Sequence, residues 1–273
     1  MQLSLASWSL RDWFRRNVQP LSLLEFPRLA RREFGLELVE LNSVFFQLDD
    51  PDHPGPSPPR RRFLDDLAAA VQQAGVGVAC LTIDHHGDLS SLDEAARRQA
   101  VAQHAKWIAV CRLLRCPRMR ANSGGKGQDP ISEAHLAACA KSFAQLAGAA
   151  GREGVTVLME NHWGVSESAE RMVAVLSAVA SPHCGALADF RNWPAGTDPI
   201  AGLRLIAPFT RYAHAKFLRF DGRGEDPDFD TASAVRTLRS AGFDGPWGIE
   251  YEGPADPAEG VRRSQALLSR YLG

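Results

Sequence analysis

Short apolar runs that end in polar residues alternate along this chain with longer segments whose apolar residues recur every three or four positions. The short runs read as buried parallel strands and the longer segments as amphipathic helices. The clearest run is Val155-Thr156-Val157-Leu158-Met159, which ends in Glu160-Asn161-His162-Trp163 and then Gly164. Further strands are expected at Leu3 to Trp8, Leu36 to Asn42 with Glu40 and Asn42 near its tip, and Val76 to Ile83 before Asp84-His85-His86. Others are expected at Pro117 to Ala121 before Asn122, Cys184 to Asp189, Arg211 to Phe217 and Trp247 to Tyr251. Helices are expected at Leu21 to Phe34, Arg60 to Gln73, Asp93 to Leu114, Pro130 to Ala150, Ser166 to Val179, Asp198 to Ile206, Thr231 to Ser240 and Pro257 to Tyr271. Gly35, Gly75, Gly151 and Gly242 stand where a left-handed stop is wanted, and Ser90 and Ser91 are cap candidates for the third helix.

Eight strand–helix alternations in 273 residues predict one α/β domain over residues 1–273, a (β/α)8 TIM barrel. Neither a Gly-x-Gly-x-x-Gly nor a Walker-type loop follows a strand, which argues against a nucleotide-binding sheet. The segment from Asp49 to Pro59 carries five prolines. It reads as a long loop on the catalytic face, serving as a lid or a subunit contact.

The composition is that of a globular protein, 45% hydrophobic and 23% charged, with a formal charge of −1. That balance gives no electrostatic case for nucleic acid or an anionic membrane. Five cysteines without paired spacing predict free thiols in a reducing compartment. No apolar run approaches the ~20 residues of a membrane span. The start, Met1-Gln2-Leu3-Ser4-Leu5, lacks the order of a signal peptide. A cytoplasmic protein without a membrane or nucleic-acid partner is the expectation, with homo-oligomer formation left open.

In a (β/α)8 barrel the chemistry sits at the C-terminal ends of the strands. Those ends carry Glu160, Asp189, His214 and Glu250 on four consecutive strands. One acid at a strand end is ordinarily a cap or a solvated charge. Four in succession point instead to one divalent metal ion. The oxygen-rich set suits Mn²⁺ or Mg²⁺, and the imidazole admits Co²⁺, Fe²⁺ or Zn²⁺. Glu250 and Glu252 point the same way, and the deeper Glu250 is the better ligand.

These ends resemble the sugar phosphate isomerase/epimerase group of the xylose isomerase-like barrel superfamily. The resemblance is carried by Leu158-Met159-Glu160-Asn161-His162, Ala188-Asp189-Phe190-Arg191-Asn192, Ala213-His214-Ala215-Lys216 and Gly248-Ile249-Glu250-Tyr251-Glu252-Gly253. It implies that Glu160, Asp189, His214 and Glu250 bind the metal, and that Glu160 and Glu250 move a proton on either face of a small carbohydrate. Lys216 and His162, each two residues beyond a ligand position, are candidates for holding substrate oxygens, and Asn192, Asn122, Trp8 and His85, from an Asp84-His85-His86 stretch unusual for the group, are further substrate-binding candidates. His162 could equally be a structural histidine packed on Trp163. Phe190-Arg191-Asn192 departs from the group, which has small residues here, and Arg191 is read as a group for a carboxylate or phosphate or, in preference, as a solvated charge. Trp8, Trp163, Trp193 and Phe45 or Phe46 form either an apolar sugar-binding wall or core.

Three other functions share the fold. A lyase or hydrolase acting on keto-glycosides would start with the same proton removal. The three-zinc AP endonuclease branch needs a histidine where Asn192 stands and an Asp-x-His pair where Asp228-Phe229-Asp230 stands. A non-catalytic barrel would have lost a ligand, and all four are present.

Overall fold

The computed structural model describes residues 2–46 and 58–273, with the backbone alone for 58–60. Eight strands, β1 (Leu3–Ala6), β2 (Leu38–Asn42), β3 (Gly77–Ile83), β4 (Arg118–Ala121), β5 (Thr156–Glu160), β6 (Cys184–Asp189), β7 (Thr210–Phe217) and β8 (Trp247–Tyr251), pair in chain order. The parallel pairing of β1 with β8 closes the barrel. Around it run α1 (Arg11–Arg15), α2 (Phe26–Phe34), α3 (Pro58–Ala74), α4 (Glu94–Leu113), α5 (Glu133–Gly151), α6 (Ala169–Val179), α7 (Pro199–Ile206), α8 (Thr231–Ser240) and α9 (Pro257–Leu272). Among the described residues, no helix is long and apolar enough to cross a membrane.

The strands match the sequence pattern to within two residues, and the helix starts depart from it for local reasons. The first long helix begins at Phe26 rather than Leu21, with Pro27 in its first turn, where a missing N–H costs nothing. Pro58 and Pro59 use the same tolerance and open α3. The rest of the proline-rich segment, with its proposed lid or contact role, lies outside the described residues. The cap of α4 is Asp93, which accepts from the amides of Ala95 and Ala96, rather than Ser90 or Ser91. A short turn over Gly164–Glu167 precedes α6, and Ser168 caps the helix. All five cysteines are free and buried.

Two apolar layers fill the fold. The large one lies between sheet and helices. The small one groups Cys80, Leu158, Leu187 and Tyr212, with Leu38 packed against it. Side chains two residues apart on a strand share a face. Leu158, Leu187 and Tyr212 therefore floor the barrel beneath Glu160, Asp189 and His214, each two positions further along its strand. Ser4 reaches Tyr212 from β1 and bonds its hydroxyl at 2.6 Å, so the buried phenol is satisfied.

Behind β3 and β4 lies a buried histidine pair. His86 donates from Nδ1 to the Asp84 carbonyl at 2.6 Å and accepts at Nε2 from the Trp107 indole at 2.8 Å, which makes it neutral. Its ring centroid is 5.8 Å from that of His104, whose Nδ1 lies 2.8 Å from the Ala100 carbonyl. Burial pushes His104 down to about 4 from its ordinary 6.5, against the help of the Ala100 bond. The folded state therefore binds fewer protons than the unfolded chain. This contribution is complete above about pH 6.5 and is lost as pH falls towards 4. Unfolding by urea should show the wild type losing about 2.5 kcal/mol more than His104→Leu between pH 7.5 and 4.5. Equal losses in the two proteins would refute the buried neutral imidazole.

Candidate metal centre

Register brings the strand tips together. His214 pairs with Asp189 across β6 and β7, and Lys216 with Glu250 across β7 and β8. His214 Nδ1 lies 3.2 Å from Glu160 Oε1 and 3.7 Å from both Asp189 Oδ2 and Glu250 Oε2. Single donor atoms of Glu160, Asp189 and His214 all lie within 4.8 Å of one another. Glu250 stands just beside this triad, with its Oε2 2.8 Å from Lys216 Nζ.

Asp189 is held rigidly. Its Oδ1 accepts from the amides of Arg191 and Asn192, and its backbone exchanges two bonds with the Asn161 side chain. That leaves Oδ2, which is buried without a hydrogen bond, as are Glu160 Oε2 and Glu250 Oε2. Arg120 Nε lies 3.0 Å from Glu160 Oε2, and Lys216 Nζ lies 2.8 Å from Glu250 Oε2 and 3.6 Å from Asp189 Oδ2; three carboxylates converging on one imidazole nitrogen still favour a further cation between them. The donor set fits a hard or borderline divalent ion.

Fixed cations flank the centre. Arg120 of β4 bridges Asp84, 2.6 Å from Nη1, and Glu160, 3.0 Å from Nε. Burial works against an ionised Glu160, but Arg120 and then His214 hold it well below the usual carboxylate range. Asp84 is held low in the same way, with burial again overcome by Arg120. Glu250 goes the other way. Burial, aided by Asp189 and Glu252, pushes it up to about 7, and Lys216 and His214 offset this only in part. The two glutamates thus differ in resting state. Burial disfavours the charged form of Lys216, but Asp189, Glu250 and Glu252 more than compensate and keep it protonated.

Asn192 lies inside this network. Its amide donates to Glu160 Oε1 at 3.2 Å, and its carbonyl accepts from Lys216 at 3.0 Å. Trp8 reaches it through Glu252 at the edge of the mouth: its indole N–H donates to Glu252 Oε1 at 2.7 Å, and Glu252 lies 3.5 Å from Lys216. Asn122 donates to Asp84 at 2.8 Å and places its Oδ1 3.5 Å from His162 Nδ1. His162 is half-buried against Trp163, with ring centroids 3.7 Å apart. His85 is exposed and sits outside this network, turned by a left-handed backbone at φ 63°. Of Asp84-His85-His86, Asp84 is the residue that joins the centre, accepting from Arg120, Asn122 and Asn42.

Other expectations need correction. Arg191 is not a solvated charge: it pairs with the buried Asp226, and its guanidinium lies 5.5 Å from the Phe229 ring. Phe46 and Trp193 pack into or against the core, and Phe45 stacks on Phe14 at 4.2 Å. Trp8 and Trp163 remain half-buried at the mouth. Sequence reasoning gave Glu40 and Arg120 no role. Both carried a signal, since each is a lone charge between apolar neighbours inside a barrel strand, Val39-Glu40-Leu41 and Met119-Arg120-Ala121.

The sequence profile of the xylose isomerase-like TIM barrel matches residues 28–271. Among solved structures, an L-ribulose 3-epimerase superposes with a TM-score of 0.79 at 20% identity, over 100% of this chain and 95% of its own. A 3-keto-D-glucoside 4-epimerase from E. coli gives 0.74 at 16%, over 99% of both chains. The IolI protein with a bound zinc atom gives 0.75 at 16%, over 100% and 98%. None of the curated proteins matches the sequence. At such identities the superpositions speak for the fold. The profile match runs over nearly the whole chain, and the protein belongs to the xylose isomerase-like TIM barrel family.

Proposed function

We propose that the protein is a divalent-metal-dependent isomerase or epimerase of a small sugar or sugar phosphate, acting by proton transfer beside a carbonyl. The observation that carries this reading is the convergence of Glu160, Asp189 and Glu250 on the Nδ1 of His214 at the barrel mouth. A divalent ion held by these four, Mn²⁺ or Mg²⁺ by the chemistry of the donors, would polarise a carbonyl and its neighbouring hydroxyl and stabilise the enediolate.

The chain's own groups divide the remaining work. Glu250, whose carboxylate stands at the mouth beside Lys216, is the candidate proton-transfer group on one face. Lys216 stands 2.8 Å from it as a fixed cation for a substrate oxygen. Glu160 is the candidate on the opposite face, and Arg120 and Asn192 fix its orientation. His162 and Asn122 are placed to meet hydroxyl groups. Trp8 and Trp163 offer apolar surface at the mouth. A second reading has an observation of its own. The hold of Arg120 on Glu160 disfavours proton return from that face, as suits a lyase acting on keto-glycosides.

Incubating the metal-loaded protein with a panel of ketoses and keto-glycosides in D2O should give deuterium beside the carbonyl, read by NMR. Glu250→Gln should slow this exchange by about 10²-fold or more. A new epimer or isomer supports the first reading, release of an aglycone the second, and exchange with no member of the panel contradicts both. Arg120→Met leaves two mostly buried carboxylates unpaired and should cost about 3–5 kcal/mol in urea unfolding of the metal-free protein at neutral pH. A loss under about 1 kcal/mol would show that the pair contributes little.

A further inference from the structure

Glu40 has no part in the chemistry just outlined, yet it is one of the most buried charges in the protein. It stands on β2 between Val39 and Leu41, and its side chain, like that of His214, is 1% exposed. A carboxylate taken out of water is costly unless it is paired, so mere packing would favour an apolar residue here. Its Oε2 lies 2.6 Å from His214 Nε2. In the sheet, β7 pairs with β6 and β8 and not with β2. The contact therefore crosses the barrel interior and exists only when the barrel is closed.

An ionised carboxylate can only accept a hydrogen bond. The proton of a neutral imidazole is then on Nε2, and the lone pair is on Nδ1. Nδ1 is the nitrogen that faces Glu160, Asp189 and Glu250. Without an acceptor at Nε2, the proton could move to Nδ1 and bond to those carboxylates, and the centre would lose its nitrogen donor. The slot for the ring is built as narrowly. A side-chain carbon at Gly248 would lie 2.7 Å from the Tyr212 hydroxyl and 3.1 Å from His214 Cδ2. Tyr212 itself is tied to Ser4 and lies 5.6 Å from the imidazole, centroid to centroid.

We infer that Glu40 is a positioning residue that fixes the tautomer and ring orientation of His214 from across the barrel, so that Nδ1 is presented to a divalent ion. The inference rests on the metal reading of the centre. Carboxylate–histidine–metal arrangements of this kind hold the ligand ring and raise its basicity, and their loss weakens metal binding by about 10–100-fold.

The test uses the full chain, with Mn²⁺ and Co²⁺ titrated calorimetrically into wild type, Glu40→Gln and Glu40→Ala. Glu40→Gln keeps an acceptor but loses the charge, and its Kd should weaken by about 10-fold; Glu40→Ala should weaken by about 100-fold. The visible absorption of bound Co²⁺, which reports ligand geometry, should change in both variants. A purely structural role would lower stability and leave that spectrum as in the wild type. If Glu40→Ala fails to fold, the near-isosteric Glu40→Gln decides. Wild type that binds metal beside a Glu40→Gln variant with Kd within twofold and an unchanged Co²⁺ spectrum would overturn the inference. Wild type that binds neither ion would overturn the metal reading and this inference with it.

Discussion

Buried carboxylates repel one another, and the mouth of this barrel collects Glu40, Asp84, Glu160, Asp189 and Glu250 within one connected network. Arg120 and Lys216 are the permanent cations that meet them. Glu252 joins them through Lys216, so carboxylates outnumber the two permanent cations, and Glu40 and Glu250 favour the charged form of His214 in the metal-free protein. A divalent ion would offset part of the remaining repulsion. The rest of the arrangement follows from that constraint. Arg120 is shared between two acids, Asp189 is gripped by backbone amides, and Glu250, left with the least compensation, is the group whose charge is most easily given up.

The fold was legible because apolar alternation and turn glycines mark each βα unit, and the four candidate ligand positions because Glu160, Asp189 and Glu250 lie at or near the end of an apolar run and His214 stands among apolar neighbours in β7. Glu40 and Arg120 escaped because their partners are remote. The groups that make a buried charge tolerable, His214 and Glu160, lie 174 and 40 residues away in the chain. The same holds for Arg191, whose partner Asp226 comes from the loop after β7. At strand three the sequence pointed to His85, because imidazoles are the more familiar site residues. In the structure Asp84 is held by three donors within the network, and His85 is exposed beside it. One helix start was misjudged where a proline overrode apolar periodicity, at Phe26, and at α4 the cap proved to be Asp93 rather than Ser90 or Ser91.

The two halves of the mouth differ. Strands five to eight supply the candidate ligands. Strands two to four supply Glu40, Asn42, Asp84, Arg120 and Asn122, which orient and neutralise them. On the proposed reading, the metal-dependent chemistry falls to one half and the other half tunes it. Function depends on such a site and not on the fold alone.

Metal stoichiometry tests the central claim most directly. Metal-free protein dialysed against Mn²⁺ and analysed by mass spectrometry should retain about one equivalent, and an Asp189→Asn, His214→Ala variant that remains folded should retain none. No uptake by the wild type, or equal uptake by the two proteins, would contradict the four-strand centre.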